Sequence, residues 1–241
     1  MMDYTDKHMR FMLRLITKRT IMWTEMLAAG TLVHNDNLER FLAYNDVEHP
    51  VVLQIGGSSP DDVREACRKA RPYGYDAFNL NCGCPSEKVA GKGCFGAALM
   101  REPGLVSDLC NAMQEGSGGE VPVTVKCRIG VDNDDSYEQL AAFIDEVHRK
   151  AGTEHFIIHA RKAILKGLSP DQNRKIPPLK YNYVYRLVED FPSIDFTLNG
   201  GVNTYEEALS CLENGAHGVM VGRGFMNQPW YWAQADTKLF G

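Results

Sequence analysis

The stretch "AFNLNCGCP", residues 77–85, shows the pattern on which the fold prediction rests. An apolar run of β-strand composition ends there in polar residues, glycine and proline. Such a short apolar run, bounded by turn residues, is typical of a strand buried on both faces of a parallel sheet. The pattern recurs along the chain and predicts strands at residues 21–26, 51–55, 77–81, 123–127, 155–159, 196–199 and 218–221.

Segments with helical spacing separate these strands. Typical helix starts are found at "SSPDD" (58–62), "DDSYE" (134–138) and "NTYEE" (203–207). Ahead of the first strand, a helix with a cap at Thr5 is predicted to bury a face made of Met9, Met12, Leu13 and Ile16. Alternating strands and helices indicate an α/β fold with parallel strands. An open doubly wound sheet and a TIM (β/α)8-type barrel both satisfy this pattern, and the length of 241 residues favours the barrel.

Polar residues gather where the predicted strands end, at Glu25, Gln54, Asn79, Asn81, Lys126, Arg128, His159, Arg161, Asn199 and Arg223. In a barrel, the carboxyl ends of the strands carry the catalytic groups, so these residues indicate an active site. Seven strands are predicted, whereas a closed barrel of this type has eight. The first strand is therefore expected to be missing from this chain.

Positive charge is concentrated in one segment. The formal net charge of −5 does not indicate nucleic-acid binding by the chain as a whole. Residues 161–180, however, hold six basic residues, one acid and three prolines, which predicts a long basic loop. A solvated charged loop is one interpretation. Beside a catalytic rim, such a loop favours a polyanionic substrate such as a nucleic acid.

Two glycine-rich stretches, "LNGGV" (198–202) and "VGRGF" (221–225), follow the last two predicted strands. Glycines let backbone N–H groups approach phosphate oxygens, and Arg223 can add a charge-assisted contact. They predict a phosphate site, for a substrate or for a cofactor such as FMN. Lys126 and His159 could then face the reduced ring of a flavin, or they could form salt bridges at the rim. Gln54 could hydrogen-bond a flavin or a pyrimidine.

The seven cysteines are scattered, with no Cys-x-x-Cys pair and no zinc-like spacing, which predicts free thiols, a reducing compartment and no metal. The short gap between Cys82 and Cys84 suits a disulfide poorly. Cys84 precedes Pro85 at the expected rim, where a thiol can be a nucleophile or a proton donor. Because a cysteine thiol has an ordinary pKa near ~8.5, Cys84 suits general acid catalysis.

Several stretches together resemble the tRNA-dihydrouridine synthase family, in particular its DusA-type, tRNA-dihydrouridine(20/20a) synthase-like group. The most specific are "NCGCP" (81–85) and "HARKAILKGLSPDQNR" (159–174), and "VTVKCRIGVD", "LNGGV" and "GRGFMNQPW" extend the resemblance. It implies an FMN-dependent TIM barrel in which hydride reaches C6 of a D-loop uracil in tRNA from FMN reduced by NADPH. Cys84 would protonate C5, and the target base would have to leave its stack to reach the site.

The resemblance also implies roles for individual residues. Cys84 would be the catalytic acid, whereas Cys82 would be a packing residue and Cys94 a bystander. The residues near the substrate uridine would be Asn81, Arg161, Lys166 and Ser169. FMN would be bound by Met1, Met2, Gln54, Lys126, His159, Asn199, Gly200, Gly201, Gly222 and Arg223.

By the same resemblance, residues 1–241 form one FMN-binding TIM-barrel catalytic domain. It is expected to be incomplete at its N-terminus and to lack the family's C-terminal helical tRNA-binding domain. The implied partner is tRNA, with no membrane, no metal and a monomeric state. A cytoplasmic location is expected, or an organelle, because a targeting segment would precede Met1. Two other functions remain open: a truncated non-catalytic relative, and an FMN barrel that reduces a free pyrimidine.

Overall fold

The computed structural model describes residue 1 and residues 4–86 and 95–241. Within these ranges, seven parallel strands form one sheet in sequential order. Each predicted strand is confirmed, with its ends shifted by two residues at most. The strands are β1 Met22–Ala28, β2 Val51–Gly56, β3 Ala77–Cys82, β4 Val123–Arg128, β5 His155–His159, β6 Asp195–Asn199 and β7 Gly218–Met220.

The sequential strand order decides between the two predicted architectures. A doubly wound sheet reverses its strand order at a switch point, whereas each strand here pairs with its neighbours in sequence. Parallel pairs such as Val52 with Ala77 and Leu198 with Val219 continue this order across the sheet. The fold is therefore the wall of a (β/α) barrel, as predicted. Among the described strands, no ladder joins β7 to β1.

Helices follow the strands and pack against the sheet and against one another. In the helix over residues 60–70, Val63, Ala66, Cys67 and Ala70 are all fully buried, as their spacing along one face predicts. None of the described helices is long and apolar enough to cross a bilayer. The helices are α1 Lys7–Ile16, α2 Ala29–Val33, α3 Glu39–Leu42, α4 Pro60–Ala70, α5 Pro103–Ser117, α6 Tyr137–Ala151, α7 Tyr181–Asp190, α8 Tyr205–Glu213, α9 Arg223–Asn227 and α10 Ala235–Phe240.

Side-chain caps start the helices where the sequence predicts them, except at α1. The three predicted helix starts are confirmed by hydroxyl caps at Ser59, Ser136 and Thr204. The prediction of Thr5 as the cap of α1 is wrong, because the carboxylate of Asp6 accepts the backbone N–H of Met9 at 2.8 Å. The hydroxyl of Thr5 is instead hydrogen-bonded to the amine and the carbonyl of Met1.

The buried face of α1 also differs from the predicted apolar face. Leu13 is buried, but Met12 is 38% exposed, and Arg10 and Arg14 are each 5% exposed. Arg10 Nε donates to Glu48 Oε2 at 2.7 Å in a buried ion pair. Arg14 donates to the backbone carbonyls of Thr17, Thr20, Glu48 and Pro50. Apart from the carbonyls of Thr17 and Thr20, which precede β1, these partners lie in the segment before β2, so the spacing within α1 could not reveal them.

The last described helix is tied to the segment that precedes β1. The carboxylate of Asp236 in α10 accepts hydrogen bonds from Thr17 Oγ1 (2.5 Å) and from the backbone N–H groups of Lys18 (2.7 Å) and Arg19 (3.0 Å). Burial would raise the pKa of Asp236, but these hydrogen bonds outweigh it and lower the pKa. The elements that flank the two edges of the sheet are thereby held together.

Candidate active site

A line of hydrogen bonds between side chains runs from the inside of the barrel to its mouth, by which we mean the carboxyl ends of the strands and the loops that follow them. Asn79 Nδ2 donates to Thr124 Oγ1 at 2.9 Å, and Gln54 Nε2 donates to Asn79 Oδ1 at 2.9 Å. Asn81 Nδ2 then donates to Gln54 Oε1 at 2.8 Å. Each amide is oriented by its neighbour, so Gln54 and Asn81 reach the mouth in fixed orientations, while Asn79 and Thr124 are buried beneath them.

The line ends at the Cys84 turn, residues 81–84. Asn81 Oδ1 accepts the backbone N–H groups of Gly83 (3.1 Å) and Cys84 (3.0 Å). The carbonyl of Gly83 accepts Arg128 Nε at 2.8 Å, and the carbonyl of Cys84 accepts the N–H of Ala97 at 2.9 Å. The peptide groups on both sides of Cys84 are therefore fixed, which sets the direction of its side chain.

Cys84 is the most accessible of the described cysteines. It is half-buried, whereas the others are buried: Cys67, Cys82, Cys110, Cys127 and Cys211. Burial raises the pKa of Cys110 and Cys127 to about 12 and that of Cys82 well above its usual range, so these thiols are unreactive. Cys94 lies outside the described residues. Within the described ranges, no group of His, Cys, Asp and Glu is placed to hold a metal ion.

Cationic side chains lie near the turn, with Arg128 buried and Lys126 half-buried. Lys126 Nζ donates to Asn199 Oδ1 at 3.1 Å across the mouth. Burial, and then the charge of Arg128, lowers the pKa of Lys126 to about 8. His159 is 8% exposed, and burial followed by the neighbouring cations, Arg128 first, lowers its pKa well below the usual range. The imidazole is therefore neutral at pH 7, while Lys126 is mostly an ammonium group.

This positive charge is not balanced by the protein. In the part of the chain that the structure describes, no carboxylate pairs with Lys126, Arg128, Arg161 or Arg223. Burial, and then the charge of Arg223, lowers the pKa of Arg161. Two guanidinium nitrogens, Nε of Arg161 and Nε of Arg174, are buried without a described hydrogen-bond partner. Unpaired cations with unused donors are what an anionic ligand requires.

Glycines border the same space. Gly200 has φ +113°, and a Cβ atom there would lie 2.5 Å from Cδ2 of His159. Gly201 follows with φ +79°, so the loop after β6 needs glycine at both positions. After β7, Gly222 precedes α9, and a Cβ atom on it would lie 3.4 Å from Sδ of Met1. The two loops thus pass beside His159 and Met1 without intervening side chains.

Residues 161–180, which we call the basic loop, are irregular, as predicted, apart from an isolated bridge at Ala163 and one 3-10 turn at Gln172–Arg174. Asn173, fully buried, anchors the loop. Its Oδ1 accepts the N–H of Ile164 at 2.8 Å, and its Nδ2 donates to the carbonyls of Ile164, Leu168 and Ser169. The carboxylate of Asp135 also pairs with Lys162 and Lys180 near the two ends of the loop. The loop is held in one conformation by these bonds.

Residues 1–241 match the family described as "Dihydrouridine synthase (Dus)". The chain belongs to the dihydrouridine synthase family. The predicted resemblance is thus confirmed over the whole chain.

Curated relatives are similar along the full chain. Proteins named tRNA-dihydrouridine(20/20a) synthase are 49% identical in Vibrio parahaemolyticus serotype O3:K6 and 47% identical in Pseudomonas putida KT2440 and Escherichia coli K12. All of this chain is covered in each case, with 72%, 70% and 68% of the respective relative. Among solved structures, DHODH from Eimeria tenella in complex with ferulenol has a TM-score of 0.57 at 16% identity, covering 94% of this chain and 61% of that one. This likeness supports the barrel fold.

Most residues that the sequence predicted for the Dus site lie together at the mouth. They are Met1, Gln54, Asn81, Cys84, Lys126, His159, Arg161, Asn199, Gly200, Gly201, Gly222 and Arg223. Lys166 and Ser169 are exposed on the basic loop. The Ser169 hydroxyl accepts the N–H of Gln172 at 3.2 Å, so it also shapes the loop. Met2 lies outside the described residues.

Two residues that anchor the mouth and the basic loop had no predicted role. Arg128 was noted as a strand-end residue, and its position two residues after Lys126 on β4 places both side chains on one face of the strand. That alternation was a usable signal for Arg128. The sequence gives no comparable signal for Asn173, because asparagine is common in polar loops. Its hydrogen-bond partners are apparent only in the folded loop.

Proposed function

We propose that this protein is an FMN-dependent tRNA-dihydrouridine synthase that uses NADPH to reduce the C5–C6 double bond of a D-loop uridine. Membership of the Dus family and the names of its relatives support this proposal. The observation that carries it is the placement of Cys84, half-buried on a fixed turn beside cations that have no described acidic partner.

The residues present fit FMN. The loops of Gly200, Gly201 and Gly222, with Arg223, would hold its phosphate, because glycine backbone and guanidinium donors suit a phosphate group. Gln54, Lys126, His159 and Asn199 would face the ring, with Met1 at its edge and Met2 assigned from the resemblance alone. When bound and reduced by NADPH, FMN would supply hydride to C6 of the uracil.

The chain's own residues would complete the reaction. The Cys84 thiol donates its proton to C5, so that hydride and proton together saturate the double bond, and the thiolate then regains a proton from solvent. At pH 7, the ammonium group of Lys126 would stabilise negative charge on the reduced flavin ring that it faces. His159, neutral at that pH, can donate one N–H without adding charge.

The basic loop would hold the tRNA. Its exposed Lys166 and the mouth residue Arg161 can contact phosphates, and Ser169 lies on the same exposed segment. Asn81 would act beside the uridine, through the turn that it anchors. The uridine must leave its stack to bring C5 to the thiol, which is the usual requirement for chemistry on a base.

A spectrum and one pair of variants test the proposal. The purified protein should show flavin absorbance and form dihydrouridine in unmodified tRNA with NADPH. Cys84→Ala should keep the flavin and lose about 100-fold or more in turnover, as expected when a general acid is removed. The control, Cys82→Ala, removes a buried core thiol and should change stability rather than turnover.

Three results would contradict the proposal. They are the absence of flavin and dihydrouridine together, an equal loss of turnover in both cysteine variants, and activity on free uracil or orotate with none on unmodified tRNA. The last result would instead identify a barrel that reduces a free pyrimidine.

A further inference from the structure

Arg128 is the most deeply buried arginine at the mouth, with 3% of its surface exposed. Burial lowers its pKa to about 10, while the nearby Cys84 acts on it in the opposite direction. No carboxylate among the described residues pairs with it. Burying a guanidinium group that has no acidic partner is unfavourable. The hydrogen bonds that Arg128 makes should therefore show why an arginine is needed at this position.

Those contacts are backbone carbonyls on separate loops. Nε donates to the carbonyl of Gly83 at 2.8 Å. Nη1 donates to the carbonyls of Lys162 (3.0 Å) and Asn173 (3.1 Å), which lie near the start and past the middle of the basic loop. A guanidinium has donors in a rigid planar fork, so one side chain can hold all these carbonyls in a set relation.

The Gly83 contact acts directly on Cys84. The carbonyl of Gly83 and the N–H of Cys84 belong to the same peptide group. Arg128 binds the oxygen of this group, and Asn81 Oδ1 binds its N–H. The plane of this peptide group is therefore held from both sides, and it determines where the Cβ and the thiol of Cys84 point.

We propose that Arg128 is a positioning residue that couples the basic loop to the Cys84 turn. When the basic loop packs against β4, Arg128 holds the turn so that the Cys84 thiol points toward C5 of the uracil. The inference rests on the proposed function, in which the basic loop holds tRNA and Cys84 supplies the proton. A shift of the loop would remove the Lys162 and Asn173 carbonyls from the guanidinium and would loosen the Gly83 peptide.

The test uses Arg128→Lys, which keeps the charge but removes the fork. Amide hydrogen exchange of the flavin-free protein should become about tenfold faster at Cys84, because the opening of the turn is a local event. With FMN, NADPH and tRNA, kcat should fall about 100-fold, the cost expected of a misplaced reacting group. The rate of flavin reduction by NADPH should not change, because that step does not use the thiol.

A matched control is Arg101→Lys. Arg101 also joins two loops at the mouth, through Asp132 and Asp134, but it does not contact the Cys84 turn. It should behave as the parent protein in every assay. If Arg128→Lys retains parental exchange at Cys84 and parental kcat, then charge alone accounts for Arg128 and the proposal is wrong.

A second variant keeps the test valid if Arg128→Lys does not fold. Asn173→Ala frees the basic loop without changing any residue that binds the Cys84 turn. Its effect can reach the turn through Arg128 or through the contacts of Leu165 with Asp132 and of Asp132 with Arg101, and the Arg101→Lys control distinguishes the two routes. Faster exchange at Cys84 would support the coupling, and parental exchange there would exclude it. If exchange behaves as expected but the protein makes no dihydrouridine, the proposed function fails and the link between loop and turn stands.

Discussion

The Cys84 turn and the basic loop are anchored in the same way but present different chemistry. In each, a buried asparagine binds backbone groups: Asn81 holds two N–H groups of the turn, and Asn173 holds three carbonyls and one N–H of the loop. The turn presents one half-buried thiol beside cations that have no described acidic partner, whereas the loop presents exposed side chains such as Lys166. Electrostatic effects are strong at the first site and screened at the second. Substitutions at the turn should therefore change rate, and those on the loop surface should change affinity.

Within the comparison of turn and loop, the largest effect is expected when the anchor of the turn is removed. Asn81→Ala leaves the N–H groups of Gly83 and Cys84 without their acceptor, so the thiol loses its orientation. We expect kcat for dihydrouridine formation to fall about 100-fold, with tRNA affinity within about twofold of the parent. Single-turnover kinetics and filter binding measure the two quantities.

Asn81→Asp is the matched variant, because it keeps an oxygen acceptor for both N–H groups and loses the donor to Gln54. The kcat of Asn81→Asp should therefore be about tenfold higher than that of Asn81→Ala. An equal loss of kcat in the two variants would show that the oxygen acceptor at residue 81 does not set the turnover rate.

An intermediate effect is expected from the pH dependence of flavin binding. Burial lowers the pKa of Lys126 to about 8, so its charge is present at pH 7 and is lost as pH rises through 8. A bound anionic ligand raises the pKa of Lys126. Above pH 8, the Lys126 amine therefore takes up a proton when FMN binds, and the affinity for FMN falls as pH rises. The Kd of FMN should increase by up to about tenfold per pH unit there.

This Kd is measured by adding FMN to the flavin-free protein and following the quenching of flavin fluorescence. Lys126→Met should bind FMN more weakly and without the rise above pH 8. A parental Kd that is constant across that range would show that Lys126 does not face the ligand.

The smallest effect is expected on the surface of the basic loop. Lys166→Ala should weaken tRNA binding a few-fold and reduce the slope of log Kd against log salt by about one, because one phosphate contact is lost. The turnover of bound tRNA should not change. Lys150→Ala is the control, since Lys150 lies on α6 and pairs with Glu146. A fall in kcat with Lys166→Ala would remove the distinction between turn and loop.

Local patterns in the sequence were sufficient for most of the framework. Apolar runs located the strands, Ser59, Ser136 and Thr204 started their helices as predicted, and the prolines of residues 161–180 indicated a loop. The buried face of α1 and the contacts of Arg128 could not be predicted, because they depend largely on partners that are distant in sequence. The buried arginines of α1 rely on the segment around Glu48, and Arg128 relies on carbonyls about 35 to 45 residues away in sequence.

Residue type and short-range spacing were enough to predict the parallel strand–helix repeat, the family and the choice of Cys84 among the cysteines. The tertiary structure decided how Cys84 is held and what surrounds it. Its peptide group is fixed by Asn81 from its own strand end and by Arg128 from the next strand, and the two meet because β3 and β4 pair in register. Burial and the convergence of strand ends set the charge of Lys126 and His159, and neither can be derived from the spacing of residues along the chain.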